Sequence, residues 1–389
     1  MDIKEKSLQK HYEWAGKIET KVKAGLNTQE DLMLAYTPGV AEACLEIEKD
    51  ANKSFLLTAR GNQVLVVTDG TAVLGLGDIG PLAGMPVMEG KAALFKHFGD
   101  VDCIPLCINS KDTEEIVKTI KLLEGNFAGV NLEDISAPRC FEIEKRLKQE
   151  LSIPVFHDDQ HGTAIVTAAA LINALKIVNK EMSSSKIIIN GAGAAGIAIA
   201  EFLIHLGAKN IILVDRTGIL SKDIKQSNSA KDNIAHKTNH QLIKGDLSEA
   251  LKEADVFIGV SVGNVVSKDM IKLMNKDPIV FPLANPIPEI TPTLAKEAGA
   301  KVVGSGSNLY ENQINNALVF PGLFKGAILA KAKTISSSMM ESAAYAIANY
   351  VKEDLKPEYI IPRVLDLDVH KAVTLSVMET AINEGNVRK

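Results

Sequence analysis

Two acidic pairs are the residues best placed to do chemistry. Glu133-Asp134 follows the apolar run Val130-Asn131-Leu132, and Asp158-Asp159 follows the run Ile153 to Phe156. In an α/β domain the C-terminal ends of neighbouring strands meet on one rim. Four carboxylates on one rim repel each other unless a cation sits among them. An all-oxygen donor set suits Mg²⁺ or Mn²⁺ better than zinc. Two solvated turns would account for the same residues, so the pattern alone leaves both readings open. In His157-Asp158-Asp159-Gln160-His161 the histidines are four apart, as on a zinc hydrolase helix. Aspartate stands where that chemistry needs glutamate and the stretch straddles a strand end, so zinc hydrolysis is set aside.

A glycine loop is the second chemical feature. Gly191-Ala192-Gly193-Ala194-Ala195-Gly196 follows the β-branched run Lys186 to Asn190 and opens an apolar helix reaching about Leu206. The next strand, Ile211 to Val214, ends in Asp215, where a dinucleotide-binding fold places the acid that holds the ribose. Gly191 permits the tight turn, Gly193 lets the backbone approach a pyrophosphate, and Gly196 lets helix and sheet pack closely. The free N–H groups of the helix start face the phosphates. Asp215 repels a 2'-phosphate, so NAD is expected ahead of NADP, while Arg216 beside it keeps NADP use open. A glycine turn without ligand is the alternative. A second match, Gly75 to Gly80, is followed at once by Pro81 and Gly84. No helix is expected to open there, and it reads as a structural or substrate-facing turn in which Asp78 orients a basic group.

The elements that must position these groups alternate along the chain. One amphipathic helix is expected from Ser7 to Lys23 and another after Pro38, with Tyr36 beside the irregular segment between them. Strands at 64–68, 103–108, 130–132 and 153–156 alternate with helices at about 88–97, 113–123 and 141–149. A second series has strands at 186–190, 211–214, 256–259, 279–281 and 301–303. Residues 221–244 read as a polar surface excursion, and three helices close the chain. This predicts an α/β protein of two domains. Residues 1–163 form an N-terminal α/β substrate and metal domain. Residues 164–389 form a Rossmann-like NAD(P)-binding domain whose C-terminal helices pack back on the first.

Composition sets the outer limits. The chain has 389 residues, 46% hydrophobic and 23% charged, which excludes disorder for its bulk. A net charge of −5 gives no general attraction to nucleic acid or an anionic membrane. Four cysteines do not make a disulfide scaffold, and Cys103 and Cys107 read as core. No signal-like segment opens the chain, and the longest apolar helix candidate, Ala192 to Leu206, is too short to span a bilayer. A cytoplasmic enzyme is expected.

Several short motifs then fall in one order. They are Tyr36-Thr37-Pro38-Gly39-Val40, Thr68-Asp69-Gly70, Gly75 to Gly80, Glu89-Gly90-Lys91, Asn131-Leu132-Glu133-Asp134, Phe156 to Ala164, Ala284-Asn285-Pro286 and Asn315 to Gly322. Together, across nearly the whole chain, they resemble the malic enzyme family in its short bacterial form. The resemblance implies oxidative decarboxylation of L-malate to pyruvate and CO₂ with NAD(P)⁺ and Mg²⁺ or Mn²⁺, and oxaloacetate decarboxylation as a side activity. It implies Glu133, Asp134 and Asp159 as metal ligands, and Asp158 as a carboxylate behind them. It implies Lys91 as the base at the C2 hydroxyl, Tyr36 as the acid at C3, and Asn285 and Asn316 as substrate contacts. Lys91 would need its pKa lowered, which a nearby metal would do. A surface ion pair with Glu89, and a purely structural Tyr36, are the alternatives. Large family members carry a substrate-binding arginine in the segment matching Thr71 to Leu74. Here Ala72 stands there, and the group holding the distal carboxylate stays open. No counterpart of the large forms' allosteric sites is visible, so no such regulation is expected. A homodimer is implied, with the N-terminal helix in its interface. A malolactic enzyme and a non-catalytic nucleotide sensor are the rival readings. The first is set aside because known ones resemble the large form, the second because the reactive residues are intact.

Overall fold

The computed structural model describes residues 2–73 and 75–388. Leu74, in the segment around Ala72, and the termini Met1 and Lys389 lie outside them. The chain opens with four short helices that bury no side chain: α1 (Ile3–Trp14), α2 (Gln29–Ala35), α3 (Val40–Lys49) and α4 (Ser54–Leu57). Asp2 caps α1 and Thr28 caps α2, each in a reciprocal capping box. The single helix expected from Ser7 to Lys23 is not formed. The backbone turns left-handed at Ala15 (φ 50°) and Gly16 (φ 117°), and that ends α1.

A four-stranded parallel sheet follows, built from β1 (Gln63–Thr68), α5 (Gly80–Gly99), β2 (Asp102–Cys107), α6 (Thr113–Leu123), β3 (Gly129–Leu132), α7 (Arg139–Glu150) and β4 (Val155–His157). Its strand order is β2-β1-β3-β4. Val64 and Val66 of β1 face Met88 and Phe95 of α5, while Leu65 and Val67 join Ile116 of α6 and Ile143 of α7. Both faces of the strand are covered, as its unbroken apolar run requires. Helix α5 does open at the end of the Gly75–Gly80 segment, against expectation. Pro81 sits in the first turn, where its missing N–H has no partner to lose.

One π-helical turn, Asp158–Gly162, leads straight into α8 (Thr163–Val178). The combined 21-residue helix is the one long and apolar enough to cross a membrane among the described residues, and it is mostly buried inside the protein. It is longer than the candidate singled out from sequence. Then come β5 (Lys186–Asn190), α9 (Ala194–His205), β6 (Asn210–Asp215), β7 (Gly218–Ile219), α10 (Ser229–Lys237), α11 (Leu247–Leu251), β8 (Val256–Gly259), α12 (Lys268–Lys272), β9 (Ile279–Pro282), α13 (Pro292–Glu297) and β10 (Val302–Val303). These make a six-stranded sheet ordered β10-β9-β8-β5-β6-β7, parallel except for β7. The order reverses at β5, the switch point where such sheets take ligands. The polar stretch 221–244 is not all surface: α10 forms inside it and buries Ile234 and Ala235.

Three helices close the fold: α14 (Phe320–Leu329), α15 (Ser337–Tyr350) and α16 (Leu367–Asn383). Helices α14 and α16 lie so close that a Cβ on Gly322 would meet the His370 carbonyl at 2.8 Å, and one on Gly326 the Thr374 carbonyl at 2.6 Å. The pair returns to α5, where Phe95 packs on Phe320 and Phe324 at ring-centre distances of 4.6 and 5.3 Å. One continuous apolar core therefore runs from β1 and α5 through α8 and α9 to α14–α16. Truncating Phe324 to alanine would remove about 3–5 kcal/mol from it.

Candidate active site

Strands β3 and β4 are neighbours in register, Leu132 beside His157, so the acids that follow them share one rim. One oxygen each from Glu133, Asp134 and Asp159 lies within 4.8 Å of the others. Asp134 takes a left-handed backbone (φ 53°), and its N–H donates to Asp159 Oδ2 at 2.7 Å. Its carbonyl accepts from the Ala72 N–H at 2.9 Å, which knits the loop after β1 onto the rim. Asn131 Nδ2 donates to Glu133 Oε2 at 2.9 Å.

Asp158 is turned to other partners. Its Oδ2 accepts from Lys91 Nζ at 2.6 Å and from Asn316 Nδ2 at 3.1 Å. Lys91 also meets Glu133 Oε1 at 2.9 Å and lies 4.2 Å over the Phe320 ring. It does not pair with Glu89, which instead accepts from the Lys17 N–H. Gly162 is required here, because a Cβ would fall 1.9 Å from Asp158 Oδ1. Asn316 links Asp158 to Thr163 at the head of α8.

The electrostatics follow from crowding. Burial raises the Glu133 carboxyl well above its usual range, and Asp159 and Asp158 add to the rise against Lys91. Burial, then Asp159, pushes Asp134 up to about 7. Asp159 goes the other way: burial would raise it, but His157 beside it, then Lys91, hold it low. Burial would lower Lys91, yet Asp158 and Glu133 outweigh it and hold the ammonium well above its ordinary value. The carboxylates are its dominant neighbours. Asp134 Oδ2 is buried without a hydrogen-bond partner. An orphaned oxygen, an all-oxygen donor set and an excess of negative charge fit a divalent cation.

Tyr36 is not tied to this cluster. It ends α2, is 68% exposed, and no hydrogen bond joins its hydroxyl to Lys91 or the acids. Asn285 stands after β9, its amide 3.5 Å from the Leu283 carbonyl, without contact to the carboxylates.

The glycine loop has the form a dinucleotide needs. A Cβ on Gly191 (φ 118°) would strike the Val260 carbonyl at 2.6 Å, and one on Gly196 the Gly191 carbonyl at 1.7 Å, whereas Gly193 faces open space. Ala192 is buried beneath the turn, Ala194 and Ala195 form the first turn of α9, and no side chain caps that helix. Helix α9 packs against the Asp158–Gly162 turn, which makes the loop and the acidic rim neighbours. Asp215 is already engaged: Oδ1 accepts from the Thr217 N–H and hydroxyl at 2.7 Å, and Oδ2 from Lys231 Nζ at 2.5 Å. Arg216 follows it in the turn before β7. Asp78 does hold a basic group, Lys111, at 2.6 Å.

Sequence reading passed over three contributors. Lys231 was one lysine among many in a polar stretch. Glu289 is fully buried and accepts from the Ser261 and Ala284 N–H groups at 2.8 and 3.1 Å, bridging the loops after β8 and β9. Its one signal is an acid inside the apolar, proline-rich run 286–292. Arg139 pairs with buried Asp69 at 2.8 Å and donates to Thr71 and Ser136, bracing the loops on either side of Ala72.

Comparison with known proteins adds to this geometry. Residues 15–148 match the family model for the malic enzyme N-terminal domain, and residues 160–382 match that for the malic enzyme NAD binding domain. The chain is 53% identical to the NAD-dependent malic enzyme of Geobacillus stearothermophilus, over 96% of this chain and 78% of that one. It is 51% identical to the bifunctional malic/malolactic enzyme of Bacillus subtilis, over 100% and 95%. Among solved structures, the NAD-dependent malic enzyme of Thermotoga maritima superposes with a TM-score of 0.93 at 46% identity, covering 97% of this chain and 99% of that one.

Proposed function

As the chain belongs to the malic enzyme family, we propose that its oxidative decarboxylation of L-malate, with NAD⁺ or NADP⁺ as hydride acceptor, takes place at the rim of β3 and β4. The observation that carries this assignment is Lys91 held 2.6 Å from Asp158 and 2.9 Å from Glu133, beside the Glu133, Asp134 and Asp159 cluster. Those three acids would hold Mg²⁺ or Mn²⁺, which supplies Lewis-acid stabilisation of the charge left when CO₂ departs. A nicotinamide coenzyme would supply the hydride acceptor for C2, and Gly191–Gly196, Asp215 and Arg216 are the residues that would hold its pyrophosphate and ribose.

The chain's own groups handle the protons. Lys91 Nζ takes the proton of the C2 hydroxyl, and Asp158 and Asn316 fix the direction in which Nζ points. For that, Lys91 must first give up a proton, and neutralising Glu133 would weaken one of the two charges that keep it protonated. Asn285 and Asn316 contact the substrate. Arg139 and Asp69 brace the loop that carries Ala72. Tyr36 Oη delivers the proton to C3 of the enol.

Tyr36 is exposed in the single chain, and so are Leu8, Tyr12, Trp14, Val22, Leu34 and Leu56 of the same arm. Apolar area of this extent is characteristic of a surface covered by a partner. The homodimer forms through this arm, and Tyr36 reaches Lys91 across the dimer. The substrate domain spans 1–163 and the coenzyme domain 164–389, the junction lying where the π-helical turn passes into α8. The enzyme works in the cytoplasm, where its four free cysteines stay reduced.

A second reading, the malolactic one, set aside from sequence because known malolactic enzymes resemble the large form, regains support from the Bacillus subtilis relative, whose name includes malolactic activity and 95% of whose length this chain covers. In that mode the coenzyme stays bound and lactate is released. One assay tests both: purified enzyme, L-malate, each coenzyme and each metal, with reduced coenzyme, pyruvate and lactate followed together. Equal pyruvate and reduced coenzyme are expected. Lactate without free reduced coenzyme would favour the second reading, and no metal-dependent turnover would refute the first.

A further inference from the structure

Behind Asp159 lies a buried polar chain that the reaction does not use directly. His157, fully buried on β4, faces Asp159 Oδ2 with Nε2 at 3.3 Å. Its Nδ1 is 2.5 Å from Gln160 Nε2, and the same amide nitrogen lies 3.1 Å from Glu144 Oε2. Glu144, on α7, is 6% exposed, and its Oε1 meets Lys148 Nζ at 2.7 Å and His161 Nε2 at 2.8 Å. The chain ends in a cleft of about 340 Å³ lined by Glu144, Lys148, His161 and Glu201.

With His157 neutral, the donors and acceptors along this path have one consistent assignment. Burial would raise the Glu144 carboxyl, but His161 and Lys148 beside it hold it well below the usual range, so it accepts only. The Gln160 group facing it must then be the NH₂, since the amide oxygen would face a carboxylate. That same NH₂ faces His157 Nδ1, which must therefore be the lone-pair nitrogen. The ring proton is left on Nε2, the nitrogen 3.3 Å from Asp159 Oδ2. That oxygen accepts from the Asp134 N–H, so the carboxylate is held in one orientation with its other oxygen free.

We propose that Gln160 and Glu144 are positioning residues for Asp159: Glu144 fixes the Gln160 amide, Gln160 fixes the His157 tautomer, and His157 orients the carboxylate. The inference rests on Glu133, Asp134 and Asp159 being the cation's ligands. Outer hydrogen bonds of this kind typically change metal affinity by about 10–100-fold when broken. In Glu144→Gln the new amide can accept or donate, the Gln160 amide is free to turn over, and the tautomer is no longer dictated.

Mn²⁺ affinity is measured on the purified enzyme without malate or coenzyme, by the electron paramagnetic resonance of free Mn²⁺. Wild type, Gln160→Leu and Glu144→Gln are compared, and NAD⁺ affinity is measured in parallel by calorimetry. The expected result is a dissociation constant for Mn²⁺ about 10–100-fold higher in Gln160→Leu and also raised in Glu144→Gln, with NAD⁺ affinity unchanged. Wild-type Mn²⁺ affinity in Gln160→Leu, or an equal loss of NAD⁺ affinity from general disruption, overturns the proposal. Asp159→Asn separates the underlying reading: if it binds Mn²⁺ like wild type, the acidic cluster is not the cation site. Should the variants fail to fold, histidine-selective ¹⁵N spectroscopy of the wild type decides. A proton on His157 Nε2 with Nδ1 unprotonated supports the chain, and a proton on Nδ1 overturns it.

Discussion

The titration of Asp134 gives a quantitative handle on the cation site. Its carboxyl is pushed from 3.8 up to about 7 by burial and by Asp159. A cation takes the ionised form. A group titrating near 7 is roughly one-tenth ionised at pH 6 and nine-tenths at pH 8, so Mn²⁺ should bind about tenfold more weakly at pH 6. Glu133, also raised, steepens the slope. Stability shows the same titration with the opposite sense. A carboxyl with a raised folded pKa favours the folded chain fully below about pH 4, and that contribution is lost as pH climbs to about 7. About three units at 1.36 kcal/mol each sets a ceiling on the order of 4 kcal/mol, which bound cation restores. Two measurements check this. Mn²⁺ affinity is followed from pH 5.5 to 8.5, and proton release is counted by calorimetry in buffers of different ionisation enthalpy. Asp134→Asn should weaken binding and flatten the slope. Without added metal it should also gain stability relative to wild type as pH rises from about 4 to about 7. Mn²⁺ affinity that is constant between pH 6 and 8, with no proton released, would refute the reasoning.

Three further outcomes are expected. Lys91→Ala and Tyr36→Phe should each be nearly inactive as homodimers. If Tyr36 acts across the dimer, unfolding and refolding an equal mixture gives half heterodimers, each with one intact site, and recovers roughly a quarter of wild-type activity by symmetry of exchange; no recovery places both residues in one chain. Gly162→Ala should fold and bind NAD⁺ but lose about 100-fold in kcat, the scale of a 1 Å misplacement, because its Cβ would displace Asp158 from Lys91; steady-state kinetics with near-normal kcat would contradict it. Lys231→Ala should raise the KM for NADP⁺ about tenfold or more, by losing a charged hydrogen bond to the 2'-phosphate worth about 1.5 kcal/mol. The KM for NAD⁺ should change little, and equal shifts for both coenzymes would show that Lys231 only braces Asp215.

Sequence carried the framework well where a residue's role is set by its neighbours in the chain. The strand Lys186–Asn190 and its glycine turn are local, and the structure has them where the pattern put them. The strand ends carrying Glu133-Asp134 and Asp158-Asp159 were legible for the same reason, and adjacency in a parallel sheet did the rest. What escaped depends on contacts distant in sequence. Pro81 looked like a breaker, yet it opens α5. The N-terminal helix stops at Ala15 because the backbone turns there, which an apolar periodicity does not report. The pairing of Lys91 with Asp158 and Glu133 joins α5 to the ends of β4 and β3, and neither segment reports it. Tyr36 was legible as a motif and not as a position, since its exposure belongs to an arm with no core of its own. The wiring of Glu144 to His157 joins α7 to β4 and has no pattern in either segment.

The shared core has a consequence for synthesis. Phe95 on α5 is covered by Phe320 and Phe324 of α14, 225 and 229 residues further along the chain. At ~5–20 residues per second, a ribosome takes on the order of 10–40 s to supply that cover. Throughout that interval the nascent first sheet presents an unclosed aromatic face, so this protein should depend on chaperone shielding during translation more than its ordinary composition would indicate.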